Sequence, residues 1–340
     1  MKKIYVYLMI LVATVLNAAC NNEWEDEQYE QYVSFKAPIP SGGEGVTDIY
    51  VRYREDGKVT YQLPVIVSGS TINSQDRDVH IIVDKDTLRT LNIERFSLTR
   101  PELWYEALEE DKYEFPEAVY IPSGSCVGLL DIDFTLKDID MVDKWVLPLS
   151  IVDDPSYGYQ SHPRKNYAKA LLRVIPFNDY SGSYTASTMK VFLYNEDGTV
   201  DKNALTETNR TGFVVDDNTV FFYAGLIGED LDKEIRRKYK LNVTFKEDET
   251  LDIVPDDPNN EMKFELIGTP SYSVTEIFDA TRPYLLHRYV QIMFEYDFQD
   301  FTYGGSGTEV IPIKYKVEGS MTLQRNINTQ IPDEDQQIEW

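Results

Sequence analysis

Histidine and cysteine, the side chains that build most zinc and thiolate centres, are nearly missing from this 340-residue chain, which has three His and two Cys. Basic charge is scarce as well: 33 Lys and Arg face 58 Asp and Glu, for a formal charge of −25. A field of that sign repels phosphate backbones, so no nucleic-acid partner is expected. After Leu16 no apolar run is long enough to read as a membrane-spanning helix. Aromatics, by contrast, are plentiful. With 24 Tyr and 15 Phe in a chain that is 42% hydrophobic, there is ample material for a core and no case for disorder.

Lys2 and Lys3 precede an apolar stretch from Ile4 to Leu16, then come Asn17-Ala18-Ala19 and Cys20. The stretch is too short to span a bilayer, and its basic flank and small-residue exit read as a signal peptide over 1–19. Cys20 after two alanines resembles the lipidated cysteine of bacterial lipoproteins, with Asn17 where that pattern usually has an aliphatic residue. Residues 20–29 carry Glu23, Glu25, Asp26 and Glu27 and read as an acidic tether. The tether also resembles the surface-export signal of Bacteroidetes lipoproteins, which implies an outer-membrane, cell-surface location with the membrane touched only through the lipid. Cys126 is then left alone and no intramolecular disulfide is expected. In phase with Leu130, Ile132 and Phe134, it is expected to face a core.

From residue 30 the chain reads as all-β. Val59, Tyr61, Leu63, Val65 and Val67 alternate with polar residues, as do Val79, Ile81 and Val83, and Leu130, Ile132, Phe134 and Leu136. Trp145 to Ile151 alternates too, although Pro148 points to an edge strand or a bulge. Six or seven such strands predict an immunoglobulin-like β-sandwich over 30–177, interrupted by an irregular excursion from Thr99 to Tyr113. Pro176-Phe177-Asn178-Asp179 marks a boundary. Eight or so further strands with tight turns predict an up-and-down β-barrel over 178–328, with a helical turn near Leu231 to Lys238 and a polar tail over 329–340.

The first block resembles the N-terminal domain of unknown function of Bacteroidetes surface lipoproteins, a type also found before chitinase-type endoglycosidases. The phrases that carry this are Val65-Ile66-Val67-Ser68-Gly69, Asp78-Val79-His80-Ile81-Ile82-Val83-Asp84, Tyr120-Ile121-Pro122-Ser123-Gly124 and Trp145-Val146-Leu147-Pro148-Leu149-Ser150-Ile151. The second block, opening at Tyr180-Ser181-Gly182-Ser183-Tyr184, is similar to the calycin-like (lipocalin-like) C-terminal domain that accompanies it. The resemblance implies a non-catalytic, surface glycan-binding lipoprotein of a polysaccharide-utilisation system. Its partners would be an oligo- or polysaccharide, a TonB-dependent transporter and that transporter's partner lipoprotein.

No catalytic constellation stands against that reading. Gly128 to Phe134 is similar to the acidic strand of chitinase-type enzymes, but Thr135 occupies the general-acid position and no eightfold βα pattern follows. Asn195 to Asp201 reads as an Asp-Gly hairpin turn rather than a calcium loop, because Leu193 stands at the first ligand position. Asp86-Thr87-Leu88 resembles the O-glycosylation motif of Bacteroidetes envelope proteins. Neither metal nor cofactor is expected. Sugar rings pack on exposed aromatic planes, so the loop aromatics Trp104, Tyr105 and Tyr303 are the candidate ligand-binding residues, with Tyr157 and Tyr159 behind them. An adhesin-type structural lipoprotein, and a glycosidase with unrecognised carboxylates, remain the alternatives.

Overall fold

The structure, a computed structural model, describes residues 29–37, 45–302 and 312–331. Cys20, the rest of the signal and most of the tether, Tyr303 and residues 332–340 lie outside the described residues.

The chain is all-β, in two domains. The first holds β1 (Tyr32–Phe35), β2 (Thr47–Arg52), β3 (Lys58–Ser68), β4 (Arg77–Val83), helix α1 (Lys85–Phe96), β5 (Glu106–Ala107), β6 (Tyr113–Glu114), β7 (Ala118–Ile121), β8 (Val127–Thr135), β9 (Trp145–Ile151), the turn-length α2 (Lys165–Ala168) and β10 (Lys169–Phe177). One sheet runs β1-β3-β8-β6 and the other β2-β10-β9-β4-β7, with β5 added beside β9. Period-two alternation sets which face is buried. On β8, Leu130, Ile132 and Phe134 turn inward, while Asp131 and Asp133 face out and accept from Gln62 and Thr60 across the β3 register. Cys126 precedes that strand in phase with Leu130 but is only half-buried, because it lies just beyond the strand's end.

Two expectations are corrected here. Pro148 lies on a central strand, not an edge. Its carbonyl accepts from Asp84 N–H (2.9 Å), and a residue's N and O point to the same side of a strand. The missing N–H therefore falls on the β4 side, just past Leu149, where β4 pairing ends, and removes no β10 bond. The second correction is α1, which sequence periodicity does not announce. Asp84 caps it, accepting from Thr87 N–H (3.0 Å) and the Thr87 hydroxyl (2.7 Å). Thr87 is 7% exposed and also meets Lys169, so Asp86-Thr87-Leu88 is a helix start rather than an accessible O-glycosylation site.

The second domain holds β11 (Gly182–Thr185), β12 (Lys190–Tyr194), β13 (Val200–Leu205), β14 (Asn209–Val214), β15 (Thr219–Tyr223), helical turn α3 (Lys233–Arg237), β16 (Lys240–Phe245), β17 (Leu251–Pro255), β18 (Glu265–Leu266), β19 (Ser271–Phe278), β20 (Leu285–Asp300) and β21 (Ile313–Asn328). Spatial order β11-β14-β15-β16-β17 follows chain order, and β19-β20-β21 returns to β11. Leu251 N–H to Pro270 O (3.1 Å) and Tyr272 N–H to Glu249 O (2.9 Å) join β17 to the start of β19 and close the ring. The β12–β13 hairpin, turning at Asn195–Gly198 as expected, is an insertion against β21. This is an up-and-down barrel.

The two domains meet through buried contacts. Met141 and Val142, from the β8–β9 loop, pack into the barrel's core cluster, and Trp145 touches both cores. Charge pairs surround this plug: Arg237 with Asp143 (2.5 Å), Lys240 with Asp140 (3.2 Å), and Asp179 between Arg52 (2.6 Å) and Arg288 (3.2 Å).

Candidate functional site

The β9–β10 connection leaves the sandwich where the chain enters it. Val33 N–H donates to Gln160 O (2.9 Å) and His162 N–H to Val33 O (2.8 Å), so β1 lies alongside this loop. From here β10 runs to the barrel junction at Phe177, about 30 Å away at strand rise. The loop and the barrel are at opposite poles of the sandwich.

Short side chains fold the loop by bonding to its own backbone. Asp153 accepts from Ser161 N–H (2.6 Å) and hydroxyl (2.5 Å), and Asp154 from Ser156 N–H (2.8 Å) and hydroxyl (2.6 Å). The Ser156 bonds hold the Asp154 carboxyl below the usual carboxylate range. Tyr159 fastens the fold from beneath. Its ring is 5% exposed, its hydroxyl donates to Val152 O (2.9 Å) and it accepts from His80 N–H (2.9 Å). Burial pushes that hydroxyl's pKa up to about 12. Buried Arg77 adds a third anchor, donating to Asn73 Oδ1 (2.8 Å), Gln31 Oε1 (2.7 Å) and Gly158 O. Its partners are all neutral, and burial pulls the guanidinium below its ordinary value.

What this frame presents is aromatic. His162 sits between the rings of Tyr32 (5.4 Å) and Tyr167 (4.7 Å), and Tyr167 is 44% exposed. Nδ1 of His162 accepts from Arg164 N–H (3.2 Å), so the neutral ring carries its hydrogen on Nε2, pointing away from the turn. An open groove of about 700 Å³ runs past Tyr32 and His162, lined also by Asp153, Tyr159, Gln160 and Lys169, with Tyr167 packed on His162 beside it. The Lys169 ammonium is held by Asp84 (2.6 Å). Aromatic faces beside amide and imidazole donors form a surface that packs on sugar C–H faces and bonds to hydroxyls. A larger groove of about 960 Å³ lies on the sandwich flank, but charged side chains such as Lys58, Glu110 and Asp133 dominate it and Tyr113 is its single accessible ring. Among the described residues, the pocket inside the barrel is far smaller. Side chains such as Phe222, Leu241, Ile292 and Phe294 crowd around it and leave about 20 Å³, room for roughly one water. Among the described residues no group of three His, Cys, Asp or Glu is placed to hold a metal ion.

Residues 24–155 match the family model for a domain of unknown function, DUF4973, and residues 168–322 match a model described as "-like, C-terminal". No curated protein matches. Among solved structures, a Bacteroides ovatus protein of unknown function is 75% identical, with 91% of this chain and all of that one covered and a TM-score of 0.84. A Bacteroides ovatus multidomain protein including DUF1735 is 74% identical over the same shares, with a TM-score of 0.83. An auxiliary nutrient binding protein from Bacteroides thetaiotaomicron is 41% identical, with 92% of this chain and all of that one covered and a TM-score of 0.78. The chain belongs to this Bacteroides family.

Within this family member, the residues singled out from sequence are scattered. Tyr105 offers no face to a ligand: it is 2% exposed, and its backbone exchanges two 2.9 Å bonds with the Asn92 side chain that dock α1. Trp104 beside it is half-buried at the end of a short 3-10 turn, its indole N–H donating to Ser97 O (3.1 Å). Tyr303 lies outside the described residues. Tyr157 and Tyr159 do reach the aromatic pole, and their rings stack at 5.4 Å. Tyr32, His162 and Tyr167 carry no loop-aromatic signature of their own; only the pairing of β1 with residues 160–162 brings them together.

Proposed function

We propose that this protein is a non-catalytic glycan-capturing lipoprotein, anchored in the outer membrane through Cys20, displayed at the cell surface and working with a polysaccharide uptake system. The observation that carries the proposal is the kinship, at 41% identity over essentially the whole chain, with a protein described as an auxiliary nutrient binding protein. The aromatic groove supplies chemistry suited to that task. Its carboxylates Asp153 and Asp154 are engaged by serine N–H and hydroxyl groups that shape the loop, which supports binding over acid–base work. The transporter partnership and the lipid anchor follow from the sequence resemblance.

Affinity electrophoresis through gels containing a panel of neutral and acidic polysaccharides tests the reading. Retardation by at least one polysaccharide, without release of reducing ends, is the expected result. Release of reducing sugar would assign the protein to the glycosidases, and indifference to every glycan would leave the adhesin reading. A Cys20→Ala variant is expected to leave the membrane fraction.

A further inference from the structure

The groove is one side of a longer aromatic row. Tyr159, which lines the groove, stacks on Tyr157, and Tyr157 stacks on His80 at 4.4 Å with ring planes 21° apart. His80 is on the outward face of β4 beside Asp78, and Tyr120 stands opposite Asp78 on β7 with 56% of its surface exposed. Tyr120 and His80 are therefore diagonal neighbours across two strands, within reach of one ligand. Ile82, also outward and 52% exposed, extends the same face. The row is rigid, because Tyr159 and Arg77 fix the loop that joins its two halves. A single sugar covers one ring or two; only a chain of sugars lies along both halves.

From this row we infer that the ligand is a chain, a polysaccharide or long oligosaccharide, read at two subsites: Tyr32 and His162 in the groove with the exposed Tyr167 ring packed on His162 at its side, and Tyr157, His80 and Tyr120 on the sheet face. The inference rests on the proposed glycan capture. It is tested by calorimetric titration of the full-length ectodomain with neutral gluco-, manno- and xylo-oligosaccharide ladders, from the disaccharide to the polymer. Affinity is expected to climb with chain length. Tyr120→Ala and Tyr157→Ala, each checked for an unchanged melting temperature, are expected to weaken the long chains about five- to tenfold and leave the shortest binding ligand unaffected. Tyr167→Ala is expected to weaken all lengths. Should length not matter, or Tyr120→Ala and Tyr157→Ala bind long chains as wild type does, the second subsite is wrong while glycan capture stands. Should no ladder and no polymer bind, both fall.

Discussion

Tyr159 is the residue on which the aromatic pole depends most, and its contribution is polar. Its hydroxyl satisfies one buried N–H and one carbonyl, so Tyr159→Phe keeps the ring stack and strands both groups. Leaving such groups unpaired costs about 1–3 kcal/mol. A lower melting temperature and weaker ligand binding are the expected outcomes, read by calorimetry. An unchanged melting temperature would mean that water replaces the hydroxyl. At this scale the sequence was only partly informative. Tyr157-Gly158-Tyr159 is visible as an aromatic loop. Tyr105 beside Trp104 looks the same on paper, yet is buried, because Asn92, thirteen residues earlier, binds both its backbone groups.

Among the elements, α1 is the one that periodicity conceals. Leu88, Leu91 and Phe96 share a face that packs with Val46, Tyr105 and Val146, but polar Asn92 and Thr87 are the other residues buried there, so the apolar stripe is thin and broken. Its Asp84 cap, Lys169 and the Asn92–Tyr105 bonds add to that packing. Burial favours the neutral form of Asp84, but the Lys169 and Thr87 hydrogen bonds outweigh it and hold the carboxyl below its ordinary value. Asp84→Ala removes the cap and takes from Lys169 its carboxylate partner, leaving it the Thr87 hydroxyl; a loss of about 1–2 kcal/mol is expected in a urea melt. Asp84→Asn should recover part of it. The strands, by contrast, were legible because their inward residues alternate. Pro148 misled because a proline in a strand is read from its missing donor, while the side on which that donor is missed depends on neighbours far along the chain.

For the molecule as a whole, the charge pairs at the domain junction tie stability to pH. Asp140 and Asp179 are each pushed up by burial, yet Lys240 and Arg237 beside Asp140, and Arg52 and Arg288 beside Asp179, hold both carboxyls below the usual range. A carboxyl depressed in the fold stabilises above its unfolded value, about 3.9, and that contribution is lost as pH falls through the folded value. Both carboxylates are partly open to solvent, so the effect is screened. Scanning calorimetry should show one cooperative transition at neutral pH. Below about pH 4 the melting temperature should fall and the two domains should separate into two transitions. A single transition of unchanged temperature at low pH would mean that the apolar plug of Met141 and Val142 alone couples the domains. The barrel's closure follows from its eight-strand ring, and its meander was readable from turn spacing. Its packed interior was not, because filling is decided by which residues face inward together. Under the proposed function, capture is assigned to the sandwich's aromatic pole. The most direct measurement is calorimetric titration of wild type, Tyr167→Ala and Trp104→Ala with the polysaccharide that retards wild type most. A five- to tenfold loss for Tyr167→Ala and wild-type affinity for Trp104→Ala are expected. Full affinity in Tyr167→Ala, or the loss appearing in Trp104→Ala, would contradict that assignment.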